Sequence, residues 1–204
     1  MKRVKCAIAL LIAALLLCAC GAPAPAEEPE APAESEAPYA TFEYTHYASG
    51  GTAETYTAVI LFEQSCSTFT SYQVAFSSCT CRDALVNYYS VCYVELLNTK
   101  PTAEEASIRS ITFGNNQGLW GDSNPNYYRH DYTEEYMDEN FVQALVGVSM
   151  ADAAQWGGYG TQLEAVDADA VSGATVSTSN ITSMLQGLFA YHAAKYYPDA
   201  EETP

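Results

Sequence analysis

An α+β domain with a mainly antiparallel sheet and a C-terminal helix is what this 204-residue sequence predicts, and three observations predict it. β-Branched and aromatic residues cluster in short runs through the first half. Apolar residues at helical spacing, bracketed by cap and stop residues, dominate the end of the chain. No regular strand–helix–strand alternation joins the two halves, and no internal repeat is present.

Four strands follow from the first observation: "YTAVILF" (56–62), "SYQVAF" (71–76), "YYSVCYVEL" (88–96) and "ASIRSITFG" (106–114). In the last, Ile108, Ser110 and Thr112 alternate with Arg109, Ile111 and Phe113, a pattern compatible with one buried face. Next comes "GNNQGLWGDSNPNYYRH" (114–130), dense in turn residues yet carrying Trp120, Tyr127 and Tyr128, and a long loop with aromatics is seldom idle. A helix is predicted over 133–147, from a Thr133 cap followed by glutamates to a stop at Gly147. A final helix starts from Ser179 as N-cap. Ile181, Met184, Leu185, Leu188 and Phe189 recur at helical spacing through about Tyr196, and Pro198 ends it.

Ahead of this domain stand two segments of different character. Lys2, Arg3 and Lys5 precede the apolar run "AIALLIAALLL", whose length suits a signal peptide rather than a membrane-spanning helix. The run ends in "LCAC" (Leu17 to Cys20), which resembles the lipobox of bacterial lipoproteins. That resemblance implies export, residues 1–20 as signal peptide and lipobox with Cys20 becoming the lipidated N-terminus, and anchoring to the outer face of the cytoplasmic membrane. An ordinary cleaved signal peptide is the alternative. Residues 21–38, "GAPAPAEEPEAPAESEAP", offer nothing large to bury and read as a disordered linker. In an extended conformation it reaches on the order of 50 Å. The domain is then 39–198, with 199–204 as a disordered tail.

Charge narrows the partners. Beyond Cys20, Arg82, Lys100, Arg109, Arg129 and Lys195 face all 25 acidic residues, a formal −20. Repulsion excludes nucleic acid, and membrane contact is expected through the lipid rather than the domain surface.

The segment carrying chemistry is "DAVSGAT", Asp169 to Thr175. It resembles, at every specified position, the flavinylation motif of the FMN-binding domain family: Asp, two variable residues, Ser or Thr, Gly, Ala, then Thr or Ser. That family includes the covalent-FMN subunits of sodium-pumping NADH:quinone reductase and of ferredoxin:NAD reductase complexes, and tethered extracytoplasmic flavoproteins. The resemblance implies FMN joined by a phosphoester to Thr175, attached by a flavin transferase that uses FAD and a divalent metal. It also makes Asp169, Ser172, Gly173 and Ala174 the residues such a transferase reads. Between 110 and 130, where other members often carry an "ETPG"-like turn, this chain has "GLWGDSNP".

The residues support that role on their own chemistry. Gly173 and Ala174 remove bulk beside the hydroxyl, and a helix start with Ser177, Thr178 and Ser179 nearby is suited to a phosphate. A flexible loop ending in a helix cap is the bland alternative; a P-loop lacks its lysine. Trp120, Tyr127, Tyr128, Trp156 and Tyr159 are candidates to line a flavin ring, Trp120 and Trp156 first among them, with ordinary packing the competing explanation for each.

Cys66, Cys79, Cys81 and Cys92 remain beyond Cys20. In an exported domain they suggest two disulfides, the simplest arrangement pairing Cys79 and Cys81 each with Cys66 or Cys92. Free or mixed thiols and a metal or iron–sulfur site are the other readings, although the spacing matches no recognised ligand set. No metal site is expected, and catalytic residues are not identified: His46, His130 and His192 are isolated, and the carboxylates around 133–141 form a solvated helix face. Three functions are compatible with the chain. The first is a tethered extracytoplasmic electron carrier, receiving electrons from a membrane redox partner. The others are a noncatalytic binding lipoprotein and a flavin-dependent reductase of a small acceptor.

Overall fold

Alternation of aromatic and polar side chains starts the fold, in a strand that the sequence reading did not single out. In β1 (Ala40–Tyr47), Phe42, Tyr44 and His46 are buried while Thr41, Glu43 and Thr45 face solvent. The computed structural model describes residues 39–79, 89–114, 134–164, 166 and 174–198, all within the unit Tyr39–Pro204. The predicted signal peptide, Cys20, the linker, the tail, Trp120, Tyr127, Tyr128, Cys81, Asp169, Ser172 and Gly173 lie outside the described residues.

Four further strands complete an antiparallel meander in the order β1-β2-β3-β4-β5: β2 (Ala53–Ser65), β3 (Phe69–Ser77), β4 (Tyr89–Leu97) and β5 (Ile108–Phe113). The predicted α+β class is the one observed. The β1–β2 turn needs two successive left-handed residues, which Gly50 (φ 87°) and Gly51 (φ 84°) supply. Two bulges correct simple alternation. Leu61 has no partner between Ile60↔Val74 and Phe62↔Gln73, so Glu63 lands opposite the buried Tyr72. Arg109 is likewise extra between Leu96↔Ile108 and Glu95↔Ser110. That is why Ile108 and Ile111, three apart, are both buried, where strict alternation would have grouped Ile108 with Ser110 and Thr112.

One face of the sheet carries the core. Tyr72, Val74 and Phe76 of β3 and Cys92, Val94 and Leu96 of β4 point into it. The predicted helix over 133–147 is a composite: α1 (Glu134–Met137), a wide turn (Asp138–Val142) and a tight one (Gln143–Leu145), stopped by Gly147 at φ 89°. The change of pitch brings Met137, Phe141, Val142 and Leu145 together into the core. A single turn, α2 (Met150–Ala153), follows, capped reciprocally by Ser149 and Asp152.

The last helix, α3 (Thr175–Tyr196), corrects the predicted start. It begins one turn before Ser179, with Ala174 as N-cap and no side-chain capping bond. Ser177 to Leu185 are all buried, although most of them are polar. Their hydroxyls are satisfied locally: Thr178 donates to the Ala174 and Thr175 carbonyls, Ser179 to Thr175, Thr182 to Ser179. Asn180 and Ser183 instead bond the outer edge of β1, which pairs with no further strand among the described residues. Gly187 allows the approach, because a Cβ there would lie 2.5 Å from the Glu43 carbonyl oxygen.

At the other end of α3, Glu63 accepts from Tyr191, Lys195 and Tyr196 (2.9, 2.8 and 2.6 Å). Burial alone would raise its carboxyl, but these donors hold it below the usual range. Nearby, His192 is buried with Nδ1 2.7 Å from the Tyr72 hydroxyl, against Tyr196 and Tyr197. Burial lowers this imidazole from 6.5 to about 4. The unfolded chain therefore takes up the proton first on acidification. Stability owed to neutral His192 is complete above pH 6.5 and is lost progressively down to about pH 4. The loss is expected to be about 3 kcal/mol. Urea midpoints measured at pH 7 and pH 4.5 should fall accordingly in the wild type and fall much less in His192→Phe; equal falls would contradict the assignment. His46, shifted the same way by burial, accounts for a residual slope.

The cysteines differ from the predicted pairing. Cys66 and Cys92 are free thiols, and Cys79 is in a disulfide with neither of them. Cys66 follows β2 and Cys79 follows β3, so the nine residues of β3, spanning roughly 30 Å, separate the two. Cys92 points into the core opposite Val74, and burial pushes its thiol up. Cys66 is exposed, with its thiol lowered by hydrogen bonds to Thr68 and the following backbone.

Candidate functional site

The N-terminal end of α3 gathers the residues singled out by sequence. Thr175 is the first helical residue, and it and Val176 are partly exposed while the residues after them are buried. In an α-helix the first-turn N–H groups have no carbonyl four residues back, so this end presents donors along the helix axis. Ala174, buried at 7 % exposure, precedes it in a non-helical conformation (φ −119°, ψ 30°). Of the candidate hydroxyls, Ser177 and Thr178 are buried, and Thr178 is turned back onto helix carbonyls. Thr175 is the hydroxyl residue of this turn that reaches the surface.

A second segment meets Thr175 from the side. After α2 the chain makes a turn through Gly157, Gly158, Tyr159 and Gly160, closed by Thr161, whose N–H and hydroxyl both donate to the Gly158 carbonyl (3.2 and 2.7 Å). Gly160 takes φ 75°, accessible to glycine, and a Cβ there would contact Thr175 Cγ2 at 3.7 Å. Ser179 ties the two segments together. Its Oγ accepts from Gly160 N at 3.0 Å and donates to the Thr175 carbonyl at 2.6 Å.

The β1–β2 turn forms the third wall. Gly50 N donates to the Tyr159 hydroxyl (3.4 Å), Gly51 lies under the Tyr159 ring, and Tyr47 packs beside it with ring centroids 6.0 Å apart. Tyr47 is itself fixed, because Asn180 Oδ1 accepts from its N–H (2.6 Å) and Asn180 Nδ2 donates to its carbonyl (3.0 Å). Asn180 Nδ2 also donates to the Ser78 carbonyl at 2.8 Å, which joins β1, the end of β3 and α3 at one residue.

Trp156 stands on the far side of the same turn. It is half-buried against the core and, with Leu145, Val148, Thr161 and Leu163, lines an open groove of about 580 Å³ whose rim carries Asp152 and Glu164. Trp156 and Tyr159 are the two predicted ring-lining aromatics within the described residues, and Tyr159 is the one that adjoins Gly160 and so the Thr175 turn. Tyr47, Gly51 and Gly160 were not anticipated. The doubled glycine at 50–51 and the "GGYG" at 157–160 mark turns, but nothing local tells that the two turns meet.

Among the described residues no group of three or more His, Cys, Asp or Glu side chains could hold a metal ion, and no helix is long and apolar enough to cross a membrane. No protein-family model, curated protein or solved structure matches this chain.

Proposed function

We propose that this chain is a membrane-tethered, extracytoplasmic flavoprotein that carries FMN on the Thr175 hydroxyl and relays electrons from a membrane donor to an acceptor outside the cytoplasm. The observation that carries the reading is that the terminal hydroxyl residue of the complete "DAVSGAT" pattern is also the surface-reaching hydroxyl residue at the start of a 22-residue helix. A nucleophilic hydroxyl must be approachable, and a phosphodiester benefits from helix N-terminal donors in a chain whose overall field is negative.

The residues present fit such a group. Gly160 lies beside Thr175 with no side chain of its own, and Ser179 holds that turn in place. Attachment forms a bond from Thr175 Oγ1 to the FMN phosphorus of FAD. The pyrophosphate bond breaks, AMP leaves, and the hydroxyl proton passes to solvent. Bound FMN supplies one- and two-electron chemistry, while the protein sets its position and exposure. The excess of acidic residues raises the cost of adding negative charge to it, which lowers its potential.

Coexpression of the full chain with a flavin transferase, with FAD present, tests the reading. The denatured protein is expected to keep flavin absorbance through gel filtration and to gain the mass of FMN less water. An unmodified intact mass under those conditions would refute it.

A further inference from the structure

We propose that Tyr159 is the platform on which the isoalloxazine ring of the Thr175-linked flavin rests. The inference depends on the covalent-flavin reading and adds to it the residue that receives the ring. Tyr159 is 37 % exposed, yet it is held by three separate contacts: Gly50 N to its hydroxyl, Gly51 under its ring, and Tyr47 at its side. A surface tyrosine at a turn needs none of these for the fold. Gly51 in particular cannot carry a side chain. Its φ of 84° disfavours one, and a Cβ would stand 3.1 Å from the Tyr159 ring.

Position completes the argument. Tyr159 directly precedes Gly160, the residue in contact with Thr175, and the Ser179 bond to Gly160 N fixes that offset. A ring system attached to Thr175 through a phosphate and a sugar-alcohol chain thus finds an aromatic face beside its own tether. Flat aromatic ligands gain from offset stacking on such a face. Trp156 is the competing bed, but it is half-buried against the core and belongs to the groove beyond Thr161.

Four full-length proteins made with a flavin transferase and FAD distinguish these outcomes: wild type, Tyr159→Ala, Tyr159→Trp and Trp156→Phe. Intact mass reports attachment, and flavin emission per attached flavin reports stacking, because an electron-rich ring in contact quenches it. Tyr159→Ala is expected to keep the adduct and brighten severalfold, Tyr159→Trp to stay dark, and Trp156→Phe to match the wild type. Full attachment with unchanged emission in Tyr159→Ala, or brightening confined to Trp156→Phe, would overturn the platform alone. No adduct in the wild type would overturn the covalent-flavin reading and the platform with it.

Discussion

Thr175→Ala is expected to abolish covalent flavin altogether while leaving the fold intact. The substitution removes the only atom at this position that can form a phosphoester, so the expected adduct fraction is zero rather than reduced. The helix has no reason to suffer. Thr175 is its first residue and partly exposed, and alanine is the better helix former. The melting temperature should move by no more than about 2 °C, as for a surface change of under about 0.5 kcal/mol. Thr175→Ser keeps a hydroxyl at the same place but loses the methyl that packs beside Gly160, so attachment should persist at a lower yield. Intact mass of the three proteins, made side by side with transferase and FAD, reads the result. An adduct of undiminished yield on Thr175→Ala would move the attachment elsewhere and remove the basis for the site.

The contrast between what the sequence disclosed and what it hid follows from which interactions are local. Strands β2 to β5 were legible because β-branched and aromatic clusters report burial on a sheet face residue by residue. β1 carried the same signal in Phe42, Tyr44 and His46, but its start abuts a linker composition and its partners on α3 lie more than 130 residues away. The start of α3 misled for a physical reason. Ser177, Thr178 and Ser179 are residues that favour caps when exposed, because their side chains compete for backbone groups. Inside this fold they are buried, and for Thr178 and Ser179 the same competition is resolved by bonding the preceding turn. Thr175 was legible as a motif, whereas the wall beside it was not. That wall needs Gly50–Gly51 to meet Tyr159 across more than 100 residues, and the bulges at Leu61 and Arg109 likewise appear only once neighbouring strands fix the register.

Asn180→Ala is expected to cost about 4 kcal/mol, well beyond the range of an ordinary surface substitution. Asn180 is wholly buried and uses both ends of its amide: Oδ1 accepts from Tyr47 N, and Nδ2 donates to the carbonyls of Tyr47 and Ser78. Three backbone groups lose their partner at once, each at about 1–3 kcal/mol where water cannot replace it. An apolar replacement of similar volume does not help, since the β1 edge would still present an unpaired N–H and C=O to hydrocarbon. Asn180→Asp should be worse than alanine at neutral pH, because an oxygen would replace Nδ2 against two carbonyls and carry a buried charge without a cation. Ser183→Ala, which removes one bond to Thr45 N at 3.0 Å, sets the scale at about 1 kcal/mol. For a domain of this size the predicted ordering corresponds to melting points lower by roughly 10 °C for Asn180→Ala and by a few degrees for Ser183→Ala. A polar seam of this kind is the solution open to a helix that must cover a strand edge as well as a sheet face, because an edge demands hydrogen-bond partners in addition to contact. Equal melting points for Asn180→Ala and Ser183→Ala would show that the edge finds other partners and that the seam is not what holds α3, and with it Thr175, against β1.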